Sequence, residues 1–295
     1  NAVGKKQVRN VTFHPSFSYE DFLEGFTSSV KNNQVEYDYE DGTFLKIVKD
    51  ATEAYEKAEE GKAPPFFLII DEINRGNLAQ IFGEIITLLE EDKRLDERNQ
   101  MSTQLAHSGG EFSVPPNLYL IGTMNTADES IALIDAALRR RFRLIPFPPE
   151  MEKVTEYYDL EGEDIEQLAN SGDGFEQLLS VSVLALNKIN DRILSEPHLG
   201  RGKQIGHTYL LEVDSEEELV NRWRFEILPQ LDNHYFGQFE SLRDDLLPEL
   251  GSDSNIIDTD NRRIAEFDRD GLYEDLRKMA DLPTEEPEEE QESET

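Results

Sequence analysis

The chain has 295 residues, 37% hydrophobic and 31% charged, with a formal net charge of -34 at pH 7 and no cysteine. That length holds a large domain and a smaller one, and the lack of cysteine excludes disulfides and thiolate metal sites. The longest apolar run, around Phe66 to Ile70, is far too short to span a bilayer. No signal-peptide pattern opens the sequence, so the expectation is a cytoplasmic protein without membrane contact. Part of the charge sits in the Glu-rich stretch from Thr284 to Thr295, which reads as a disordered tail. The rest is spread along the chain and suits a protein adapted to high salt, where self-repulsion is screened. Sequence-independent binding of nucleic acid is disfavoured, because phosphate contacts need clustered Lys and Arg.

Along the chain, Val11-Thr12-Phe13 reads as a short strand. Ser18 is an N-cap for a helix carrying Phe22, Leu23 and Phe26. Apolar residues from Phe44 to Ala58 recur at helical spacing. A breaker at Gly61 to Pro65 is followed by Phe66 to Ile70, expected as a parallel strand buried on both faces. A helix is predicted from Leu78 to Glu91, a hairpin insert within Lys93 to Asn117 around Ser108-Gly109-Gly110, and a second buried strand at Leu118 to Gly122. A helix over Ile131 to Arg140 and a strand over Phe142 to Phe147 complete the alternation, which argues for an α/β fold with a mostly parallel sheet flanked by helices. Beyond Pro149 the pattern is helical at Phe175 to Leu194 and Glu216 to Leu231, extended at Ile205 to Val213, and helical again at Leu272 to Met279. The expected domains are 1-149, α/β; 150-250, smaller and mainly helical; and 251-295, an acidic and largely disordered tail.

Two acids directly after a buried strand, Asp71-Glu72, carry the sharpest chemical signal, since ligands of open α/β sheets bind at the carboxyl ends of strands. There an aspartate can order Mg2+ through its water shell while a glutamate polarises an attacking water. The plainer alternative is a strand ending in a solvated turn. Asn125, after the next strand, can hold a water or a γ-phosphate oxygen in line, although Asn is also a common turn residue. Arg139-Arg140-Arg141 closes a helix, where cations suit the macrodipole, but a guanidinium reaching a neighbouring subunit's phosphate is a second use. The five histidines show no i, i+4 pairing and no H-E-x-x-H, so the sequence points to none as a metal ligand. His207 reads as a packed structural residue, and Trp223 with Phe225 as a helix core.

Taken together, Phe67-Leu-Ile-Ile-Asp-Glu-Ile-Asn-Arg-Gly-Asn-Leu78 with Phe82-Gly-Glu84, Val114 to Asp128, and Ala137-Leu-Arg-Arg-Arg-Phe142 resemble the McrB family of restriction-system GTPases within the AAA+ class. Thr12 to Phe22 and Ile205-Gly-His-Thr-Tyr209 match further segments in the right order. The resemblance implies Asp71 as the Walker B acid that organises Mg2+, Glu72 as the catalytic glutamate, Asn125 as sensor 1, and Arg140 and Arg141 at the arginine-finger position. It places Thr126 and Asp128 in a nucleotide-facing motif. It further implies GTP or ATP as substrate, a homo-oligomeric ring, expected to be a hexamer, an McrC-type nuclease partner, and DNA recognition through a separate N-terminal domain that is not among these residues. Two departures stand out. Glu129 is a charge reversal beside Asp128, and no G-x-x-x-x-G-K-[ST] P-loop occurs, although one should precede the Thr12 block by a strand, a helix and a linker. The expectations are therefore a motor piece lacking its P-loop, which should bind nucleotide poorly; a non-catalytic ring or scaffold subunit; or a MoxR- or dynein-like remodelling ATPase.

Overall fold

The computed structural model describes residues 4, 6-31, 34-59, 61-125, 136-160 and 162-283, in two compact units divided between Ile145 and Pro146. The first unit is built on three parallel strands in the order β1 (Val8–Thr12), β4 (Phe66–Asp71), β7 (Leu118–Gly122), with Thr12 level with Asp71 and Ile70 level with Gly122. Parallel neighbours require crossover connections. The first crossover runs through α1 (Tyr19–Phe22), the antiparallel hairpin of β2 (Glu24–Lys31) and β3 (Gln34–Asp41), and α2 (Thr43–Lys57). The second runs through α3 (Leu78–Phe82), a 3-10 segment Gly83–Leu89, and the small hairpin of β5 (Thr103–Gln104) and β6 (Glu111–Phe112). A last short helix, α4 (Ala136–Arg139), follows.

An aromatic cluster forms the core beneath the strand ends. Phe22 stacks on Phe44 at 4.9 Å and meets the edges of Phe13 at 5.6 Å and Phe82 at 5.0 Å, so the Thr12 to Phe22 block is core as much as motif. Ser18 caps α1 in a full capping box with Asp21. At Gly42 the chain passes so close to Phe22 that a Cβ would lie 2.3 Å from its carbonyl carbon, so α2 can begin there only with glycine.

Several expectations are corrected. The helix expected to carry Leu23 and Phe26 ends at Phe22, and the chain turns into the β2–β3 hairpin, whose Phe26, Tyr37 and Tyr39 are exposed. The helix expected from Leu78 to Glu91 breaks at Gly83, where φ is +49° and the backbone packs against the Tyr19 ring. Among the described residues the sheet is covered on one face only: Leu68, Ile70 and Leu118 are buried, while Tyr119 is 51% and Ile121 46% exposed. The reason is that the core-forming side chains of α2 and α3 all pack with the inward residues of β4 and β7, and no helix of the described residues covers the other side. Residues 142-147 form no strand, because an extended segment becomes a strand only by pairing and nothing described pairs with them.

The second unit is mainly helical: α5 (Glu152–Tyr157), α6 (Ile165–Ser171), the long α7 (Gly174–Ser195), α8 (Glu216–Arg222), a π-helical turn at Trp223–Ile227 running into α9 (Leu228–His234), and α10 (Phe239–Leu246). Trp223 is fully buried and its Nε1 donates to Ser182 Oγ at 3.0 Å, whereas Phe225, expected in the same core, is exposed. Residues Ile205 to Val213 hold a 3-10 turn, His207–Leu210, rather than a strand. Glu150 N donates to His207 Nδ1 at 3.2 Å, so the histidine does serve local structure.

Of the tail expected over 251-295, residues 251-283 are folded instead, and 284-295 lie outside the described residues. The hairpin of β8 (Ile257–Asp258) and β9 (Arg263–Ile264) and the helix α11 (Arg269–Met279) pack Ile256, Phe267, Leu272, Leu276 and Met279 into the helical core. The fully buried Asp275 accepts from Asn255 N at 2.6 Å, Ile256 N at 3.0 Å, Ser254 Oγ at 2.8 Å and Lys278 Nζ at 2.9 Å, which fixes α11 to the preceding loop. No helix of the described residues is long and apolar enough to cross a membrane.

Candidate active site

The acid pair stands where the sheet delivers it. Asp71 is the last residue of β4 and its backbone oxygen accepts from Phe13 N at 2.8 Å, which locks it beside β1. On its other side Thr123, directly after β7, donates from Oγ1 to Asp71 Oδ1 at 2.5 Å and accepts from Glu72 N at 3.3 Å. One hydroxyl therefore spans both acids. Asp71 is exposed and its second oxygen makes no hydrogen bond among the described residues. An open carboxylate oxygen suits a hard cation such as Mg2+, which retains several waters.

Glu72 turns the chain out of the strand in a left-handed conformation, φ +53° and ψ +45°, which is rare for a residue with a side chain. Its Oε2 accepts from Arg75 Nε at 3.1 Å. The turn is held from β7 as well, by Ile73 N donating to Thr123 O at 2.9 Å and by the buried Asn74, whose Nδ2 donates to Asn125 O at 3.3 Å. Gly122 makes this approach possible, since a Cβ there would lie 2.8 Å from Ile73 Cδ1.

Asp71, Glu72 and Asn125 are thus assembled at the carboxyl ends of neighbouring strands β4 and β7. Thr126 and Asp128, together with Glu129, lie outside the described residues. The arginines diverge. Arg139 and Arg140 are exposed, while the Arg141 side chain is only 5% exposed and its Nη2 pairs with Glu90 Oε1 at 2.7 Å. Thr123, Asn74 and Arg75 were not singled out as site residues from the sequence. Their signal is weak there, because each acts across a gap of about fifty positions or within a turn whose shape is not legible beforehand.

A parallel sheet presenting an Asp-Glu pair beside a polar strand end is the arrangement of an AAA-type nucleotide-hydrolysing domain, and residues 2–142 match the family described as AAA domain (dynein-related subfamily). Residues 182–243 match the one described as McrB, alpha-helical lid domain, and the chain belongs to the McrB family of AAA+ proteins. It is 35% identical over 243 residues to the EcoKMcrB subunit of the type IV methyl-directed restriction enzyme of Escherichia coli (strain K12), covering 78% of this chain and 48% of that protein. It is 27% identical over 163 residues to component YdiS of the type II restriction enzyme BsuMI of Bacillus subtilis (strain 168), covering 45% of this chain and 46% of that one. The chain spans about half the length of the curated relatives it matches.

Proposed function

We propose that this chain supplies the hydrolytic side of a GTP- or ATP-driven motor in a restriction system of the McrBC kind. The observation that carries the reading is Thr123 joining the Asp71 carboxylate and the Glu72 backbone across the ends of β4 and β7, which fixes both acids at one end of the sheet. Glu72, offset by its left-handed turn and steadied by Arg75, takes the role of polarising the attacking water. Asp71 holds the water shell of Mg2+, and bound Mg2+ neutralises charge on the phosphates. Asn125 orients water or the terminal phosphate, with its backbone held by Asn74. Thr126 and Asp128 face the nucleotide in this reading. Arg140, exposed at the end of α4, is the better placed of the two arginines to act on a neighbouring subunit, while Arg141, held by Glu90, anchors α4. A homo-oligomeric ring, with six subunits as its expected size, and an McrC-type nuclease partner belong to the same proposal, supported by the similarity to restriction-enzyme components.

Mixing subunits tests it on the full-length gene product. Arg140→Ala and Glu72→Gln proteins, each inactive alone, should regain part of the hydrolysis when mixed, because an Arg140→Ala subunit still offers a sound Glu72 to a neighbour's intact arginine. No recovery at any ratio, with rings intact by light scattering, counts against action in trans. One further measurement separates this motor from a non-catalytic ring subunit. Turnover by the full-length product that disappears in Glu72→Gln rejects the latter.

A further inference from the structure

The helical unit contains a second cluster of ligating groups that plays no part in hydrolysis. Glu196 caps the end of α7, His198 follows two residues later in the turn, and Asp245 lies near the end of α10. One ligand atom from each lies within 4.8 Å of the other two. The three side chains reach one point from two elements far apart in sequence, which explains why the histidine spacing alone showed nothing.

Two features separate this cluster from an ordinary acidic surface. First, neither carboxylate is neutralised: no Lys or Arg forms an ion pair with Glu196 or Asp245 among the described residues, and the one pairing of Glu196 is His198 Nδ1 at 3.8 Å. Arg192, one turn earlier on α7, is already held by Glu249. Second, Tyr235 sits beside the cluster, only 4% exposed, with its hydroxyl buried and without a hydrogen-bond partner. Its ring meets the His198 ring edge to face at 5.3 Å. Asp245 is a neighbouring acceptor of this hydroxyl, but the two fall short of hydrogen-bonding geometry. A buried donor left unmade costs about 1–3 kcal/mol and calls for an explanation.

We propose that Glu196, His198 and Asp245 form a binding site for a first-row divalent transition ion of the Zn2+ or Co2+ class, with Tyr235 as a positioning residue. One imidazole nitrogen and two carboxylate oxygens suit these ions better than Mg2+, which prefers oxygen alone. Ligands bind Zn2+ at about 2.0–2.2 Å, so the three groups need move inward by roughly 1 Å or less. The cation removes the repulsion between the carboxylates. When Asp245 turns one oxygen to the ion, its other oxygen can accept from Tyr235 Oη, giving the orphaned hydroxyl its partner. The ion would tie the α7–α8 turn to α10 and stiffen the helical unit.

Titration of ZnCl2 into the 295-residue chain by calorimetry, in millimolar MgCl2, should show one saturable site per chain. CoCl2 should give a visible absorption band that Zn2+ abolishes. His198→Ala and Asp245→Asn should each weaken Zn2+ binding by at least about tenfold and remove the Co2+ band. Tyr235→Phe, which keeps the ring in its packing, should weaken binding by about tenfold while retaining the band. Absence of saturable Zn2+ binding, or wild-type affinity in His198→Ala with unchanged circular dichroism, overturns the proposal.

Discussion

Thr123 is the side chain on which the acid pair leans from both sides, donating to Asp71 and accepting from the backbone of Glu72. Thr123→Val keeps the shape and removes the hydroxyl, so the full-length product should lose about 10- to 100-fold in kcat with little change in thermal stability, as read by steady-state hydrolysis and melting. Glu24 is a residue of the opposite kind, important for stability and remote from the acids. Buried at the start of β2, it accepts from His107 N and Ser108 N, both at 2.8 Å. Burial alone would raise its pKa, but the side chain and backbone of Ser108 and the backbone of His107 outweigh that and hold it below its ordinary 4.5. Because the folded value is depressed, Glu24 stabilises the fold fully above pH 4.5 and loses that contribution as pH falls through the folded value. Glu24→Gln should therefore cost about 1–2 kcal/mol in urea unfolding at pH 7, with the gap from wild type closing as pH falls below 4.5 and through the depressed folded value. The placement of Asp71, Glu72 and Asn125 at the strand ends was legible because a polar residue at the end of an apolar strand has one place to go. Thr123 and Asn74 were not, since their value depends on which strand lies next to which.

Among the elements, α11 tests how much structure an acidic sequence can hide. Asp275→Ala removes the acceptor of two backbone N–H groups, a hydroxyl and Lys278 in one step, and should destabilise the helical unit by about 3 kcal/mol, measured as a lower urea midpoint. The helix itself was legible from Leu272, Leu276 and Met279, whose spacing of three and four is the ordinary signal of one buried stripe, while its attachment to the helical core was not. The reverse happened from Leu78 to Leu89, where a continuous apolar stripe suggested one helix but Gly83 adopts a positive φ against Tyr19. That break places Glu84 to accept from Tyr19 Oη at 2.7 Å, while the same oxygen accepts from Ala106 N at 3.1 Å. Tyr19 thereby joins α1, the Gly83–Leu89 segment and the 93-117 insert. The long helices α2 and α7 were legible throughout, because their apolar positions repeat for several turns without interruption.

For the whole molecule, the net charge of -34 predicts stability that rises with salt. Raising KCl from 0.1 to 2 M should raise the melting temperature, as screening shortens the reach of repulsion from about 10 Å to under 3 Å. An unchanged or falling temperature would show that the charges are already balanced locally. The division into an α/β unit and a helical unit was readable from the change of periodicity near Pro149, and the structure divides at Ile145 and Pro146. What composition could not reveal is that, among the described residues, β4 and β7 are covered on one face only, because an apolar run looks the same whether one side or both are packed. The central claim is that Glu72 activates the attacking water while Asp71 and its neighbours serve binding. It is tested most directly by measuring nucleotide affinity and turnover together for Glu72→Gln in the full-length gene product. The account predicts affinity within about threefold of wild type and turnover reduced by at least about a hundredfold. Equal loss of both, or turnover left intact, would contradict it.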